Sequence, residues 1–292
     1  MRVLVVGVGG LLGGNVTSVA LNRGKTVAAA YHSEDPEFDC PSHQIDITSS
    51  TAVADLATQV DPDAIINCAA MTDVDGCETD PEQAHAINAA GAEHVARAAG
   101  NVDAALVHTS TDYVFGGEET APYSETAEPD PKQVYGESKL AGERRVQEAH
   151  PDPLVARLSF VYGRSLPNES VSGFPAWVLE QARNGEEIPL FTDQRVSPSY
   201  AKATAMTLLD LLEADQRGTF NIASQSCVTP YEFGELIVKE ARFTDATLTE
   251  SSMKDVDRDA ERPQYTCLDT MAVEEALDRP QSTLEEDLAD LL

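Results

Sequence analysis

The feature that most constrains the fold of this sequence is a glycine-rich segment directly after the first apolar run. The segment reads VLVVGVGGLLGGNV and spaces three glycines three residues apart. Glycines permit a tight turn and a close approach of the backbone to a phosphate, and a following helix offers free N–H groups. A glycine-rich turn without a ligand is the alternative. The pattern predicts a strand, a turn and a helix that bind a dinucleotide through Gly7, Gly10, Leu11, Leu12 and Gly13.

Short apolar runs alternate with longer amphipathic segments through the first half of the chain. Buried parallel strands read as continuous apolar runs, and the crossovers between them are usually helices. We therefore predict an α/β fold with a doubly wound, Rossmann-like parallel sheet over residues 1–160. Residues 161–292 are expected to form a smaller substrate lobe, with some late segments returning to the sheet. The expected strands are VLVVG, TVAAAY, a short third strand just before Asp46, AIINCAA, AALVHTS and PLVARLSFVY, in that order.

The end of the second predicted strand bears on the choice of coenzyme. A site for NAD usually carries an acidic residue there, which binds the ribose hydroxyls. Here the strand ends in AAAYHSEDP, so that His32 and Ser33 precede any acid and could accept a 2′-phosphate. The sequence therefore favours NADPH, and it leaves NADH open because the two acids that follow could reach the ribose. Asp46 and Ile47 are expected to border the adenine, with a helix-start acid as the alternative for Asp46.

The segment VYGESKLAGE holds Tyr135 and Lys139 one helical turn apart. This spacing alone also fits a surface pair, but it follows the fifth predicted strand, which ends in Ser110 and Thr111. Ligands of an open parallel sheet lie beyond the carboxyl ends of its strands. We expect Lys139 to lower the pKa of the Tyr135 phenol, which would protonate a carbonyl oxygen while the dinucleotide supplies hydride. Thr111 would hydrogen-bond the same oxygen, and no metal is required.

Together these segments resemble the extended short-chain dehydrogenase/reductases, and within them the dTDP-4-dehydrorhamnose reductase family. The resemblance covers nearly the whole chain and includes INCAAMTDVDGCETDPEQAHAIN, STDYVFGG, RLSFVYG, FTDQRVSPSY and ERPQYTCLDT. It implies that Thr111, Tyr135 and Lys139 are catalytic, with Lys139 also contacting the coenzyme. It further implies that the segment after the fourth strand lines the cofactor cleft through Asn67, Ala69 and Ala70.

Three departures from the family pattern lie where the family binds its substrate. Phe160 stands where the family usually has Trp, Gly173-Phe174 replaces Asn-Phe, and Met71-Thr72 replaces His-Thr. These departures leave the redox residues intact and bear on the identity of the nucleotide-sugar.

The expected substrate contacts combine hydroxyl, apolar and basic side chains. A planar guanidinium in the segment ERP could bind a diphosphate, with an exposed loop arginine as the alternative. Phe174 and Trp177, at helical spacing, are expected in the core and not in a base-stacking platform. The residues expected to contact the substrate are Met71, Ser110, Phe160 and Arg262.

The charge of the chain is strongly acidic, with 50 Asp and Glu against 20 Lys and Arg and a net charge of −30. A dispersed acidic surface keeps a protein soluble in concentrated salt, which indicates a halophilic protein. Nucleic acid is excluded as a partner, because its phosphates require a basic patch. No apolar run is long enough to span a membrane, and the N-terminus reads as a core strand, so we expect a cytoplasmic protein.

The cysteines and histidines show none of the spacings that are typical of metal ligands. Because the five cysteines are odd in number and form no CxxC pair, we expect neither a structural disulfide nor a zinc site. The resembling family includes metal-bridged dimers, so a homodimer is open, although no acidic triplet for such a bridge is visible. The cysteines are Cys40, Cys68, Cys77, Cys227 and Cys267.

The sequence thus favours an NADPH-preferring reductase that acts on the 4-keto group of a nucleotide-activated 6-deoxysugar. Resemblance makes dTDP-4-dehydrorhamnose the expected substrate. Two alternatives stay open. One is a sugar-nucleotide epimerase or dehydratase that recycles bound NAD, which the missing acid after the second strand disfavours. The other is a non-catalytic subunit that resembles the regulatory β subunit of methionine adenosyltransferase, which the complete Thr, Tyr and Lys set disfavours.

Overall fold

A parallel β-sheet forms the centre of the computed structural model, which describes residues 1–292. The strands are β1 (Arg2–Val6), β2 (Thr26–Tyr31), β3 (Ser42–Gln44), β4 (Ala64–Asn67), β5 (Ala105–Thr111), β6 (Leu154–Leu158), β7 (Val161–Ser165), β8 (Ser170–Ser172), β9 (Glu187–Phe191), β10 (Ser199–Tyr200), β11 (Gly218–Asn221) and β12 (Thr247–Ser251). The central sheet has the order β11-β6-β5-β4-β1-β2-β3, and all its neighbours are parallel. The strand order reverses between β1 and β4, where such sheets bind ligands. The predicted doubly wound α/β class is confirmed.

Helices cover both faces of this sheet. The α-helices of the chain are α1 (Leu11–Asn22), α2 (Ser50–Val60), α3 (Val74–Thr79), α4 (Pro81–His85), α5 (Ala92–Asn101), α6 (Val134–Ala149), α7 (Phe174–Asn184), α8 (Ala201–Glu213), α9 (Pro230–Glu240), α10 (Met271–Leu277) and α11 (Leu284–Leu291). One apolar core lies between the sheet and α1 with α8, and a second lies between the sheet and α2, α5 and α6. A π-helical turn, Ala86–Gly91, joins α4 to α5. None of the helices is both long and apolar enough to cross a bilayer.

A separate apolar core holds the C-terminal elements together. It is built from α7, α9, α11 and the parallel pair β9–β12, with Tyr162, Leu190 and Phe233 among its buried members. Helix α9 begins with a capping box, in which the Thr229 hydroxyl accepts from the Glu232 N–H and the Glu232 carboxylate accepts from the Thr229 N–H. Strand β11 leaves this region and pairs with β6 in the central sheet. The sheet therefore takes its outer strand from beyond residue 160.

The apolar run PLVARLSFVY does not form one strand, as expected, but two. Strand β6 ends at Leu158, and β7 begins at Val161 and pairs with β8 and β10 outside the central sheet. Phe160 lies at the break with a φ of 45°, a left-handed conformation that interrupts any strand. The break turns the chain from the sheet towards the C-terminal elements.

A disulfide joins Cys227 to Cys267, so the expectation that the chain has no structural disulfide is wrong. The two cysteines are 40 residues apart, and no local spacing links them. They meet because the chain around each pairs with the same short segment: Arg195 bridges to Tyr265, and Val196 bridges to Val228. This pairing is a property of the tertiary structure, which cysteine spacing does not record.

Candidate active site

The turn between β1 and α1 allows a ligand to approach the backbone closely. Gly7 has a φ of 89°, in the region that favours glycine, and its N–H donates to the Ala30 carbonyl at 2.8 Å. A Cβ at Gly7 would lie 2.6 Å from the Ala69 nitrogen, and one at Gly13 would collide with the Gly7 carbonyl. Helix α1 follows Gly10 without a side-chain cap. Its first N–H groups are therefore left for a ligand, and the turn fits a pyrophosphate.

The first part of the cleft lies beyond the ends of β1, β2 and β4 and has a volume of about 810 Å³. This size suits the adenosine half of a dinucleotide. His32 is the one basic side chain in its lining. The predicted cofactor residues that this cavity brings together are Gly7, Gly10, His32, Ser33, Asp46, Ile47, Ala69 and Ala70.

Two of the three acidic side chains in the lining of this cavity, Asp35 and Asp46, already accept hydrogen bonds from their own neighbours. A hydrogen bond from the Ser42 hydroxyl lowers the pKa of Asp35. The Thr48 hydroxyl and N–H donate to Asp46 at 2.7 and 2.9 Å, and they lower the pKa of Asp46. Asp46 therefore both organises the turn ahead of α2 and lines the cavity. These carboxylates stay charged at neutral pH, so a 2′-phosphate would have to be held by the side chains that end β2.

The second part of the cleft continues directly from the first, because the two share Gly10, Cys68 and Ala70. Its volume is about 420 Å³, and it lies beyond the ends of β4, β5 and β6. It brings together residues that were predicted from four distant segments of the sequence. These residues are Gly10, Leu11, Leu12, Gly13, Ser110, Thr111, Tyr135, Lys139 and Phe160.

Tyr135 and Lys139 lie in the first two turns of α6. Lys139 is buried and donates from Nζ to the Thr109 carbonyl at 2.7 Å, and burial lowers its pKa to about 8. Burial raises the pKa of the Tyr135 phenol, while a hydrogen bond with the Thr111 hydroxyl opposes that rise. The expected lowering of the phenol pKa by Lys139 is therefore wrong, because loss of solvation is the largest effect on this phenol and it raises the pKa. The phenol carries its proton at neutral pH and can act as an acid.

A buried carboxylate that the sequence analysis missed lies next to Thr111. Asp112 accepts from the Thr111 hydroxyl at 3.0 Å and from the Ser159 hydroxyl at 2.6 Å. Burial raises the pKa of Asp112 to about 6, while hydrogen bonds from Ser159, Thr266 and Thr111 oppose the rise. The sequence signal for this residue was an acidic side chain directly after a buried strand, in the segment STDYVF. The carboxylate fixes the direction of the Thr111 hydroxyl, which at the same time accepts from the Tyr113 N–H at 3.2 Å.

Two predicted residues, Met71 and Asn67, lie outside the cavity lining. Asn88 binds the backbone of Met71 on both sides, accepting from its N–H at 2.8 Å and donating to its carbonyl at 3.0 Å. The wall at this point is formed by Thr72 and Val74 instead. The Asn67 amide oxygen accepts from a backbone N–H two residues further on, at 3.2 Å. Hydrogen bonds therefore hold the Asn67 side chain and the Met71 backbone within the loop after β4, outside the cavity lining.

A third cavity of about 490 Å³ opens beyond Tyr113 and Phe160, which it shares with the redox end of the cleft. Arg262 lies in its wall and forms a two-point ion pair with Asp75, at 2.7 and 3.2 Å. This hydrogen bond lowers the pKa of Asp75. The paired guanidinium is thus held in place at the wall and is not a free loop arginine.

The third cavity also contains two residues that the sequence analysis did not assign to the site. Arg258 stacks over the Phe191 ring at 5.0 Å and has no carboxylate partner. Trp177 is 38% exposed and lines the cavity beside Phe174, so its expected place in the core is wrong. The Trp177 side chain lies on the side of α7 that borders the cavity. Helical spacing alone does not distinguish a residue that lines a cavity from one that is buried in the core.

The glycine turn, the switch point of the sheet and the Thr, Tyr and Lys set at one end of the cleft define a class of protein. The chain is an oxidoreductase of the short-chain dehydrogenase/reductase class. Within it, the chain belongs to the family described as RmlD substrate binding domain, whose model matches residues 1–292.

Curated relatives agree with this assignment. The chain is 49% identical over 292 residues to the probable low-salt glycan biosynthesis reductase Agl14 of Haloferax volcanii, covering 100% of this chain and 97% of that protein. It is 35% identical over 272 residues to dTDP-4-dehydrorhamnose reductase of Mycobacterium tuberculosis H37Rv, covering 91% of this chain and 84% of that protein.

Solved structures show the same architecture. A dTDP-4-dehydrorhamnose reductase from Clostridium acetobutylicum matches with a TM-score of 0.88 and 28% identity, covering 100% of this chain and 98% of that chain. The Bacillus anthracis enzyme of the same name, solved in complex with NADP, matches with a TM-score of 0.87 and 29% identity, covering 99% and 98%. A UDP-glucose 4-epimerase from Thermotoga maritima matches with a TM-score of 0.82 over 100% and 97% of the chains, and at 20% identity it shows the fold alone.

Proposed function

We propose that this chain is an NADPH-dependent reductase that converts the 4-keto group of a nucleotide-activated 6-deoxysugar to an alcohol. One observation carries the proposal: the Tyr135 phenol, Thr111 and Lys139 meet where the coenzyme cleft opens into an aromatic cavity with two arginines. The family relationship supports dTDP-4-dehydrorhamnose as the first substrate to test. Similarity to a reductase of glycan biosynthesis supports a sugar substrate independently.

The coenzyme would bind along the cleft from β2 to α6. The pyrophosphate would contact the free N–H groups that begin α1, and the adenosine would lie between Ile47 and the end of β2. His32 and Ser33 would hold a 2′-phosphate, and the NADP complex of a related enzyme supports this choice. NADH remains the second coenzyme to test, because acids flank the same cavity.

When bound, the coenzyme would supply hydride to the carbonyl carbon. Tyr135 donates its phenol proton to the carbonyl oxygen, which completes the alcohol. Lys139 stabilises the phenolate that results, because its ammonium lies one helical turn away in a buried site. Thr111 orients the phenol, and Asp112 in turn fixes the Thr111 hydroxyl through the hydrogen bond of 3.0 Å.

The activity can be tested by mixing the protein with dTDP-4-dehydrorhamnose and NADPH in molar salt and following the loss of NADPH absorbance. We expect one NADPH to be oxidised per sugar reduced. The Tyr135→Phe variant, which keeps the ring and loses the proton, serves as the control. Interconversion of sugars without net oxidation would instead identify an epimerase, and coenzyme binding without turnover of any keto-sugar would identify a non-catalytic subunit.

We further propose that the reaction takes place in the cytoplasm, where NADPH and nucleotide-activated sugars are made. Fractionation of cells with an antibody against the chain tests this proposal. Recovery of the protein outside the cytoplasmic fraction would contradict it.

A further inference from the structure

The third cavity, beyond Tyr113 and Phe160, has the chemistry of a site for a planar ring that carries a charged group. Its walls are largely aromatic rings and prolines, and two arginines lie among them. Arg262 is engaged by Asp75, whereas Arg258 lies over the face of Phe191 and forms no direct ion pair, although its charge helps to lower the pKa of Asp75. In a chain with a net charge of −30, an arginine without a carboxylate partner at a cavity wall favours an anionic ligand.

Trp177 is the most exposed large aromatic side chain of this cavity. Its neighbours on α7, Val178 and Leu179, are buried in the C-terminal core, but Trp177 keeps 38% of its surface exposed. The indole lies 5.9 Å from the Phe174 ring, and Phe174 lies 5.5 Å from Phe160. The two distances link the rings in a row of contacts, from Phe160 at the redox end of the cleft through Phe174 to Trp177.

This row matches the order of groups in a nucleotide-activated sugar. The sugar carbonyl must lie at the redox end, beside Tyr135, so the base at the other end of the molecule must lie at the far end of the cavity. A purine or pyrimidine presents a π-face, which an exposed indole stacks well. A diphosphate lies between sugar and base, and Arg258 is available to bind it.

We propose that Trp177 is the base-stacking, specificity-determining residue of this cavity, which binds a nucleoside diphosphate group with its diphosphate directed to Arg258. The inference rests on the proposed reductase function for its choice of ligand. It assigns the discrimination between nucleotides to a residue of α7, away from the redox residues of β5 and α6.

The test uses the fact that Trp177 is the only tryptophan of the chain, so its fluorescence reports on this one position. The full-length protein is titrated in molar salt with dTDP and, separately, with inorganic pyrophosphate. We expect dTDP to change the emission of Trp177 in a saturable way, and pyrophosphate to leave it unchanged. Saturable binding of dTDP by calorimetry without any change in emission would overturn the inference.

Variants of Trp177 distinguish the effect of a lost base-stacking contact from an effect on folding. Trp177→Ala should raise the Kd for dTDP and the KM for the sugar substrate about tenfold, in line with the loss of one stacked base. It should leave kcat and the KM for NADPH unchanged. Trp177→Phe should recover part of the loss, and Met206→Ala, which removes a comparably exposed side chain of α8, should change none of these values.

The outcomes distinguish the inference from the proposed function. Turnover of the nucleotide-sugar with an unchanged KM in Trp177→Ala overturns the inference and leaves the reductase proposal intact. A saturable dTDP response of Trp177 without any sugar turnover supports the nucleotide site and overturns the reductase proposal.

Discussion

The phenol of Tyr135 keeps its proton at neutral pH, since loss of solvation raises its pKa further above the ordinary value of 10.0, and the protonated phenol is the state that a reduction needs. Its ring packs edge-on against Tyr113 at 6.0 Å, while Lys139 is held against the Thr109 carbonyl. The cation therefore acts on the phenolate that forms during the reaction more than on the resting phenol. The position and the protonation state of the Tyr135 phenol are therefore both set before a substrate binds.

Replacing Tyr135 by Phe should lower kcat by about two to four powers of ten, because a positioned general acid contributes that much. The affinity for NADPH should change little, since the ring remains. Steady-state turnover and coenzyme titration of the two proteins measure these effects. Turnover equal to that of the wild-type protein would remove Tyr135 from the mechanism.

The carboxyl of Asp112 should make stability depend on pH. Its pKa of about 6 lies above the ordinary value of 3.8, so the folded protein binds this proton more tightly than the unfolded chain. The stabilisation is complete below pH 3.8 and is lost as the pH rises through 6. Relative to Asp112→Asn, the free energy of unfolding of the wild-type protein should fall by about 1.4 kcal/mol between pH 5 and pH 8.

Urea denaturation of both proteins at several pH values measures this difference, and the other titrating carboxyls cancel in the comparison. A difference that does not vary with pH would show that Asp112 titrates as it does in the unfolded chain.

At the scale of elements, helix α6 depends on a close approach to the π-helical turn between α4 and α5. Asn88 lies in that turn, and its side chain donates to the Ser138 hydroxyl of α6 at 3.0 Å while holding the loop after β4. A Cβ at Gly142 would collide with the Asn88 carbonyl. The register of α6, and with it the position of Tyr135, therefore rests on a glycine contact. π-helical turns are often found at functional sites.

Substituting Gly142 by Ala should destabilise the protein by about 1–3 kcal/mol, because a methyl group has no space against the Asn88 backbone. Turnover should fall with it, since α6 carries Tyr135 and Lys139. Gly100→Ala in α5 is the matched control, because a Cβ there meets nothing closer than 3.9 Å. That control should be neutral or slightly stabilising in thermal unfolding. Equal stability of the two variants would contradict the packing argument.

The sequence was informative where a residue's role follows from its local pattern. Apolar runs predicted five of the seven strands of the central sheet, and the Tyr135–Lys139 spacing predicted a pair that lines the cleft. The position of Asp112 after a buried strand was a signal in the sequence, but its hydrogen bonds could not be predicted, because Ser159 and Thr266 come from distant segments. The break at Phe160 likewise depends on a backbone conformation that only the tertiary structure imposes.

At the scale of the whole molecule, acidic residues greatly outnumber the cations that could neutralise them. Several of the cations are already used in ion pairs, as with Arg157, which binds Glu143 at 2.8 Å in the core. The surplus acids repel one another across the surface. Dissolved salt weakens this repulsion, since the Debye length falls from about 10 Å at 0.1 M to about 3 Å at 1 M.

Raising NaCl from 0.1 to 1 M should therefore raise the Tm by roughly 5–10 °C, equivalent to a few kcal/mol in a chain of this size. Differential scanning calorimetry measures the shift, and KCl at equal ionic strength should act alike if screening is the cause. A Tm that is constant or falls with added salt would contradict a role for surface repulsion.

The position of β11 at the outer edge of the central sheet has a consequence for biosynthesis. A nascent chain that has left the ribosome only as far as residue 160 presents the open side of β6, whose partner β11 has not yet been translated. Helix α8, which covers one face of the same sheet, is also still missing at that stage. The central sheet is therefore completed only after the later segments have been translated. Products truncated before residue 218 would expose the unpaired edge of β6, which favours aggregation.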